Sequence, residues 1–559
     1  MFGPRNYFGK FSSFLYVLMA IALLSGCEPT QKNTEESPAE NGPHTEKVLK
    51  IGSTTQPRSL DPQKSNLVAG RRVVSALFQG LIDVDASGRL IPGMAQGWDV
   101  SEDGLHYTFT LREAYWSDGT PVTTEDFIFS FRSLFGKQSE SSFTSFYMVL
   151  KNATAVKAGD LPIEELGVRA LNERILRLDL EHPFPSLLGL LSHQSALPVP
   201  SHALQKFGAN WTAPENLVVN GAFKLQSWGD GEPIILVKNP MFHDAETVAL
   251  DRIEIHNSAN ADAALDAFLA GELDIIDSFP DERLGEIQET IPQSLRVEPQ
   301  WSIYWYVFNT QDEILSDSRI RQALSMALDR ERITGTILSQ TGNRPSYSLV
   351  PPEMPSYGTP NTPDWFVLDM AGRREFAIEL LSAAGYGPEN PLTLTISFNR
   401  SEDHRRVMEA VAEDWQQIGV SVMADEEDFQ GHLAKLEAGD FQIGRRTWVA
   451  SFDMPEYFLG LFTRDAGPLN IGRYINPRFD EVMDEARSKS NLSERTMLLR
   501  EAESIALADS VVAPIYSYVN QVLVRPYVKG WIDNPTSRHA LRFLDVKEKA
   551  ATPSHTPPR

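Results

Sequence analysis

The chain has 559 residues, 42% of them hydrophobic, and 75 acidic against 51 basic residues, for a formal net charge of −24. That size supports one to three globular domains with sizeable cores; a field of that sign excludes nucleic acid and anionic lipid surfaces, which need Lys and Arg to meet phosphate. One cysteine in the whole chain excludes a disulfide framework and a cysteine-based zinc site.

In chain order, Arg5 and Lys10 precede an apolar run from Phe14 to Leu24. The run is too short to span a hydrocarbon layer, which takes ~20 residues, and it has the layout of a secretory signal. Leu24-Ser25-Gly26-Cys27 resembles the bacterial lipoprotein processing box. The resemblance implies an acylated Cys27 as the first mature residue, held at a membrane by its fatty chains. The alternative is an ordinary signal peptide with an incidental cysteine. The Pro-, Glu-, Asn- and Thr-rich stretch that follows has almost nothing to bury and reads as a flexible tether.

Mixed α and β elements follow throughout. "KVLKIGSTTQPRSLDPQ" opens with a strand and ends in a loop. Tyr107, Phe109 and Leu111 alternate with period two, flanked by the tight-turn dipeptides Asp103-Gly104 and Asp118-Gly119. Thr123 or Thr124 then predicts an N-cap with Asp126 in the first turn of an aromatic, amphipathic helix. Ile320, Ala323, Leu324, Ala327 and Leu328 predict one buried helical face, capped by Asp317 or Ser318. Two helix–glycine–strand units follow, stopped at Gly385 and Gly419.

Catalytic signatures are missing. There is no Gly-x-Ser-x-Gly elbow, no His-Glu-x-x-His and no phosphate loop ending in Gly-Lys-Ser/Thr. Histidines such as His106 and His243 are isolated and predict surface or half-buried positions rather than metal ligands. The run Asp425-Glu426-Glu427-Asp428 predicts a solvated face. Neither an enzyme, a metal site nor a cofactor is expected.

Several stretches carry a family resemblance that covers about residues 48–547. "GWDVSEDGLHYTFTLREAYWSDGTPVTTEDF" is similar to the signature of the peptide/nickel class of solute-binding proteins, family 5. "PVPSHALQKFGANWTAPENLVVNGAFKLQSW", "FNTQDEILSDSRIRQALSMALDR" and "YSYVNQVLVRPYVKGW" resemble the oligopeptide-binding proteins of bacterial ABC importers. The resemblance implies an α/β, two-lobed periplasmic-binding-protein fold (type II, three-domain cluster C) with a hinge and an interlobe cleft. The expected division is a lipoprotein signal peptide at 1–26, a tether at 27–47, domain I at 48–78, 205–300 and 519–547, domain II at 79–204, domain III at 301–518, and a disordered tail at 548–559. It also implies a monomeric, extracytoplasmic protein that binds an oligopeptide and delivers it to ABC permease subunits. A peptide sensor or periplasmic chaperone would need the same cleft, and a secreted hydrolase is the remaining alternative.

The resemblance extends to individual residues. In "FQIGRRTWVASFDMPEYFL", Arg445 stands where the family meets a peptide carboxylate, and Trp448 where it walls a side-chain pocket. A planar guanidinium suits a carboxylate because it offers parallel donors. His404 matches a histidine near the same end of the peptide, and Tyr304, Trp305 and Tyr306 divide between cleft and core. Ser451 stands where the family has the aspartate that pairs with the peptide amine, and Asp453 is the nearest acid to replace it. Asn66 stands where relatives place another acid. If Asp453 serves only a turn, the ligand is a blocked or cell-wall-derived peptide.

Overall fold

Tyr107, Phe109 and Leu111 are at most 4% exposed in a strand His106–Leu111, as their alternation requires. The Asp126 carboxylate accepts from the Thr123 N–H at 2.9 Å and starts the helix Thr124–Phe135. Asp317 accepts from Arg319 N–H at 2.9 Å and starts Ser318–Met326, which buries Ile320, Ala323 and Leu324. Ala327 and Leu328 are buried just past its end. Gly385 and Gly419 sit at φ 92° and 81°, the left-handed conformation in which a Cβ is strained.

The computed structural model describes residues 45–547 apart from 66, 67, 138, 140, 230, 340, 353 and 451. The expected signal peptide, Cys27 lipidation and most of the tether therefore lie outside the described residues, as do Asn66, Ser451 and the tail.

Two large sheets organise the described chain. The first has seven strands, in the order Leu295–Pro299, Val519–Val524, Ile275–Ile276, Val48–Ser53, Arg252–Asn257, Ile234–Lys238 and Phe223–Ser227. The second has six: Arg344–Pro345, Val512–Ser517, Ser302–Phe308, Ile443–Val449, Leu392–Asn399 and Val420–Glu427. A four-stranded sheet that includes His106–Leu111 shares its hydrophobic core with the first. The chain passes between the large sheets twice, through Gln300 and Trp301 and through Tyr518.

The strand Ser302–Phe308 is buried along its whole length. Tyr304, Tyr306 and Phe308 enter one core of the second sheet, while Ile303, Trp305 and Val307 enter the core on its other face. A strand with a core on each face loses polar/apolar alternation, because both faces exclude water. Asp425, expected on a solvated face, instead joins Ser397 at 2.6 Å and Lys435 at 2.7 Å, tying a strand to the helix Phe429–Ala438. Among the described residues no helix is long and apolar enough to cross a membrane.

Candidate functional site

The strand Ile443–Val449 pairs with Ser302–Phe308 along its length. On its other side the strand Leu392–Asn399 pairs only at Ile443 and Gly444. Beyond Arg445 no described strand pairs with that edge. Gln442 O accepts from Asn309 N–H and Ala450 N–H donates to Trp301 O, so even-numbered residues turn toward the paired side. In an antiparallel pair, backbone groups of alternate residues face opposite ways. Thr447 and Val449 therefore present N–H and C=O to the open edge, and Val449 is 44% exposed there. His432 takes the Arg445 carbonyl on that side at 2.8 Å.

Arg445 is half-buried with its guanidinium carbon 5.0 Å from the centre of the Tyr304 ring. Nη1 donates to Asn399 Oδ1 at 3.2 Å; Nη2 donates to Thr447 Oγ1 at 2.9 Å and to the Tyr518 hydroxyl at 3.2 Å. Nε has no partner, and among the described residues no carboxylate lies within ion-pair distance. A desolvated cation satisfied only by neutral oxygens is poised to exchange them for a carboxylate, since charge-assisted bonds are about twice as strong as neutral ones.

Two histidines border this cation. His404 lies at the start of the helix Glu402–Gln416, its ring 5.6 Å from that of Tyr304. Burial, then repulsion from Arg445 and His432, push its pKa down to about 3, so it is neutral at ordinary pH. His432, in the helix Phe429–Ala438, donates from Nε2 to the Arg445 carbonyl, which leaves Nδ1 bare. Its pKa is lowered chiefly by burial.

The remaining expected residues divide between half-buried and core positions. Trp448 is half-buried against Tyr457, ring centres 5.2 Å apart, with Arg446 above its face at 5.4 Å. Trp305 is core, packed on Phe458 and Phe462. Tyr304 lies beneath Arg445 and stacks on Tyr516 at 4.5 Å, and Tyr306 is fully buried beside it. The Tyr304 and Tyr306 hydroxyls sense each other and Arg445 electrostatically but have no well-formed hydrogen bond. Both Asp453 oxygens are engaged by one residue, accepting from Ser356 N–H at 2.9 Å and Ser356 Oγ–H at 2.6 Å. Burial raises the Asp453 pKa.

Thr447, Val449, His432 and Tyr518 were not anticipated from sequence. Nothing local in the sequence marks them. Two cavities of about 210 and 300 Å³ lie elsewhere, one between the 101–104 turn and Asn491, the other around Asp61 and Trp211. Neither includes Arg445 or Trp448, whose edge is open rather than enclosed.

Comparison with known proteins identifies the family. The family described as "Bacterial extracellular solute-binding proteins, family 5 Middle" matches residues 89–470. The periplasmic murein peptide-binding protein MppA of Escherichia coli (strain K12) is 34% identical over 485 residues, 86% of this chain and 89% of its own. The periplasmic oligopeptide-binding protein OppA of Salmonella typhimurium is 34% identical over 489 residues, 87% and 89% of the two chains. The unliganded open form of MppA superposes with a TM-score of 0.83 at 32% identity, covering 90% of this chain and 97% of that one. A second structure of the Escherichia coli murein tripeptide binding protein gives 0.71 at the same identity, covering 90% and 98%. The chain therefore belongs to the bacterial extracellular solute-binding proteins of family 5 and has their two-lobed fold.

Proposed function

We propose that this protein captures oligopeptides between its lobes and delivers them unaltered to the permease of an ABC importer. The ligand adds as an extended strand to the open edge at Thr447 and Val449, and its C-terminal carboxylate displaces neutral oxygens from Arg445. One observation carries this reading: an otherwise paired strand loses its partner at a cation with no carboxylate of its own. Main-chain pairing gives affinity for any peptide, while Trp448 walls a side-chain pocket. The names of the two relatives compared above, a murein peptide-binding and an oligopeptide-binding protein, support the same ligand class.

The crossings at Gln300–Trp301 and Tyr518 are where the lobes would rotate to close. The greater similarity to an unliganded open form supports reading the present arrangement as the open one. The protein works outside the inner membrane as a monomer, held to a membrane by acyl groups on Cys27. Incorporation of labelled fatty acid, lost in Cys27→Ser, tests that anchor.

Calorimetry tests the ligand. Amidating a peptide's C-terminus should weaken binding about 100-fold in the wild type and far less in Arg445→Gln. N-methylation of successive backbone amides should hurt at alternate positions only. Equal binding of acid and amide, or no alternation, would sink the strand-addition reading.

A ligand lacking a free amine, such as a blocked or cell-wall-derived peptide, is favoured by one contact. Both Asp453 oxygens already accept from Ser356, and residue 451 is a serine, so the acid nearest the family's amine position is tied to another residue. Matched free-amine and N-acetylated peptides should bind alike. A strong preference for the amine that vanishes in Asp453→Asn would return that role to Asp453.

A further inference from the structure

On the wall formed by the first sheet and its attached core, Arg71 and Arg538 approach the same turn. The helix Val68–Leu77, which carries Arg71, packs against the short turn Gln194–Ala196. Arg538 donates to the residue just before that turn's histidine, Nη1 to Ser192 Oγ at 3.0 Å and Nη2 to Ser192 O at 2.6 Å. Between them lies His193, which both arginines help to keep neutral, after burial itself.

The acids nearby are spoken for. Arg72, beside Arg71 in sequence, pairs with Asp277 at 3.0 Å. Asp83, the carboxylate nearest in influence to Arg538, pairs with Arg542 at 3.0 Å and accepts from Gln79 Nε2 at 2.9 Å and Val84 N–H at 2.8 Å. Arg71, half-buried, has no hydrogen bond or ion pair among the described residues. One further buried hydroxyl in these segments, Ser537 Oγ, has no partner among the described residues, and Ser537 is held at φ 51°. Like charges brought together out of water are unfavourable unless an anion joins them.

This cluster borders the opposite wall of the proposed cleft. His193 packs edge-on against Phe146 at 5.4 Å, and Phe146 in turn meets Phe452 of the other lobe at 6.2 Å. Phe452 directly follows residue 451 at the amine end of the family's peptide site.

We propose that Arg71 and Arg538 form a second anion subsite, taking an acidic side chain of the bound peptide in addition to the C-terminal carboxylate held at Arg445. This deepens the peptide reading and rests on it. The preferred ligand is then an acidic peptide, in spite of the protein's own excess of negative charge.

Calorimetry on the full chain tests this with trialanine peptides carrying glutamate at each position in turn, each against its glutamine counterpart. At one position at least, glutamate should bind about tenfold more tightly than glutamine. That ratio should fall to within about twofold in Arg71→Gln and recover in Arg71→Lys. Arg538→Gln should act in the same way, and thermal melts will show whether losing the Ser192 contacts unfolds it; Arg71→Gln makes no such contact and decides the matter alone. Arg445→Gln should weaken both members of each pair by the same factor. If peptides bind with no acidic preference, or the preference survives Arg71→Gln, the second subsite is wrong while the peptide reading stands. If no peptide binds the wild type, both fall.

Discussion

Arg330 and Arg445 lie in the same lobe, each stacked on a tyrosine and neither paired with a carboxylate, yet they do different work. Arg330 is fully buried, 4.6 Å from the Tyr347 ring. Its donors end mostly on backbone carbonyls, Pro514 at 2.7 Å, Ser346 and Ser325 at 3.0 Å and Leu328 at 3.3 Å, with one further bond to Ser325 Oγ at 3.3 Å. The carbonyl acceptors belong to main chain and cannot turn away. The acceptors of Arg445 are an amide and two hydroxyls on rotatable side chains, which can turn away when a better acceptor arrives. Burial does not separate a structural cation from a binding one; the mobility of its acceptors does.

The comparison breaks most readily at Arg330. Arg330→Met should cost about 4 kcal/mol of stability in urea unfolding, because several buried carbonyls are left unpaired. A loss under about 1 kcal/mol would show that the site relaxes and that fixed acceptors carry no special weight. Arg445→Gln should reverse the pattern: stability within about 1 kcal/mol of wild type, with carboxylate-dependent binding reduced by about 2–3 kcal/mol.

Acid sharpens the same contrast. Native His404 stays neutral down to about pH 3, whereas the unfolded chain takes up a proton near the ordinary histidine value of 6.5. The favourable contribution is therefore complete above pH 6.5 and lost as pH falls toward 3, at up to about 1.4 kcal/mol per pH unit. It should appear as the difference between wild type and His404→Asn, in which buried carboxylates with raised pKa such as Glu503, whose contribution runs the other way, cancel. In Arg445→Gln that acid dependence should shrink, because Arg445 is one of the charges that keeps His404 neutral.

The smallest effect is expected at Tyr518. Removing its hydroxyl in Tyr518→Phe should cost about 0.5–1.5 kcal/mol of stability and free one Arg445 donor. Carboxylate peptides should then bind as tightly as before or a few-fold more so. Weaker binding would mean that Tyr518 meets the ligand itself.

Residue pattern and structure agree most closely where the physics is local. The alternation of Tyr107, Phe109 and Leu111, the Asp126 and Asp317 helix starts, and the left-handed stops at Gly385 and Gly419 all depend on neighbours within one turn or one pleat. Arg445, Trp448 and His404 were singled out by resemblance, and the structure places them on or beside the strand Ile443–Val449. Trp305 was not legible as core, because a strand buried on both faces carries no alternation to read. That Ser356, 97 residues earlier, donates to Asp453 could not be read from the sequence around either residue.

By itself, then, the amino-acid order determined which segments become strands and helices and which motifs resemble a solute receptor. Tertiary structure alone decided that the strand Ile443–Val449 loses its neighbour at Arg445, that Tyr518, 73 residues away, holds that guanidinium, and that Arg71 has no acid partner among the described residues. The reason is one of range. Propensity, capping and periodicity act between residues a few positions apart, whereas an open edge or an unpaired charge depends on which distant segments fail to arrive beside it.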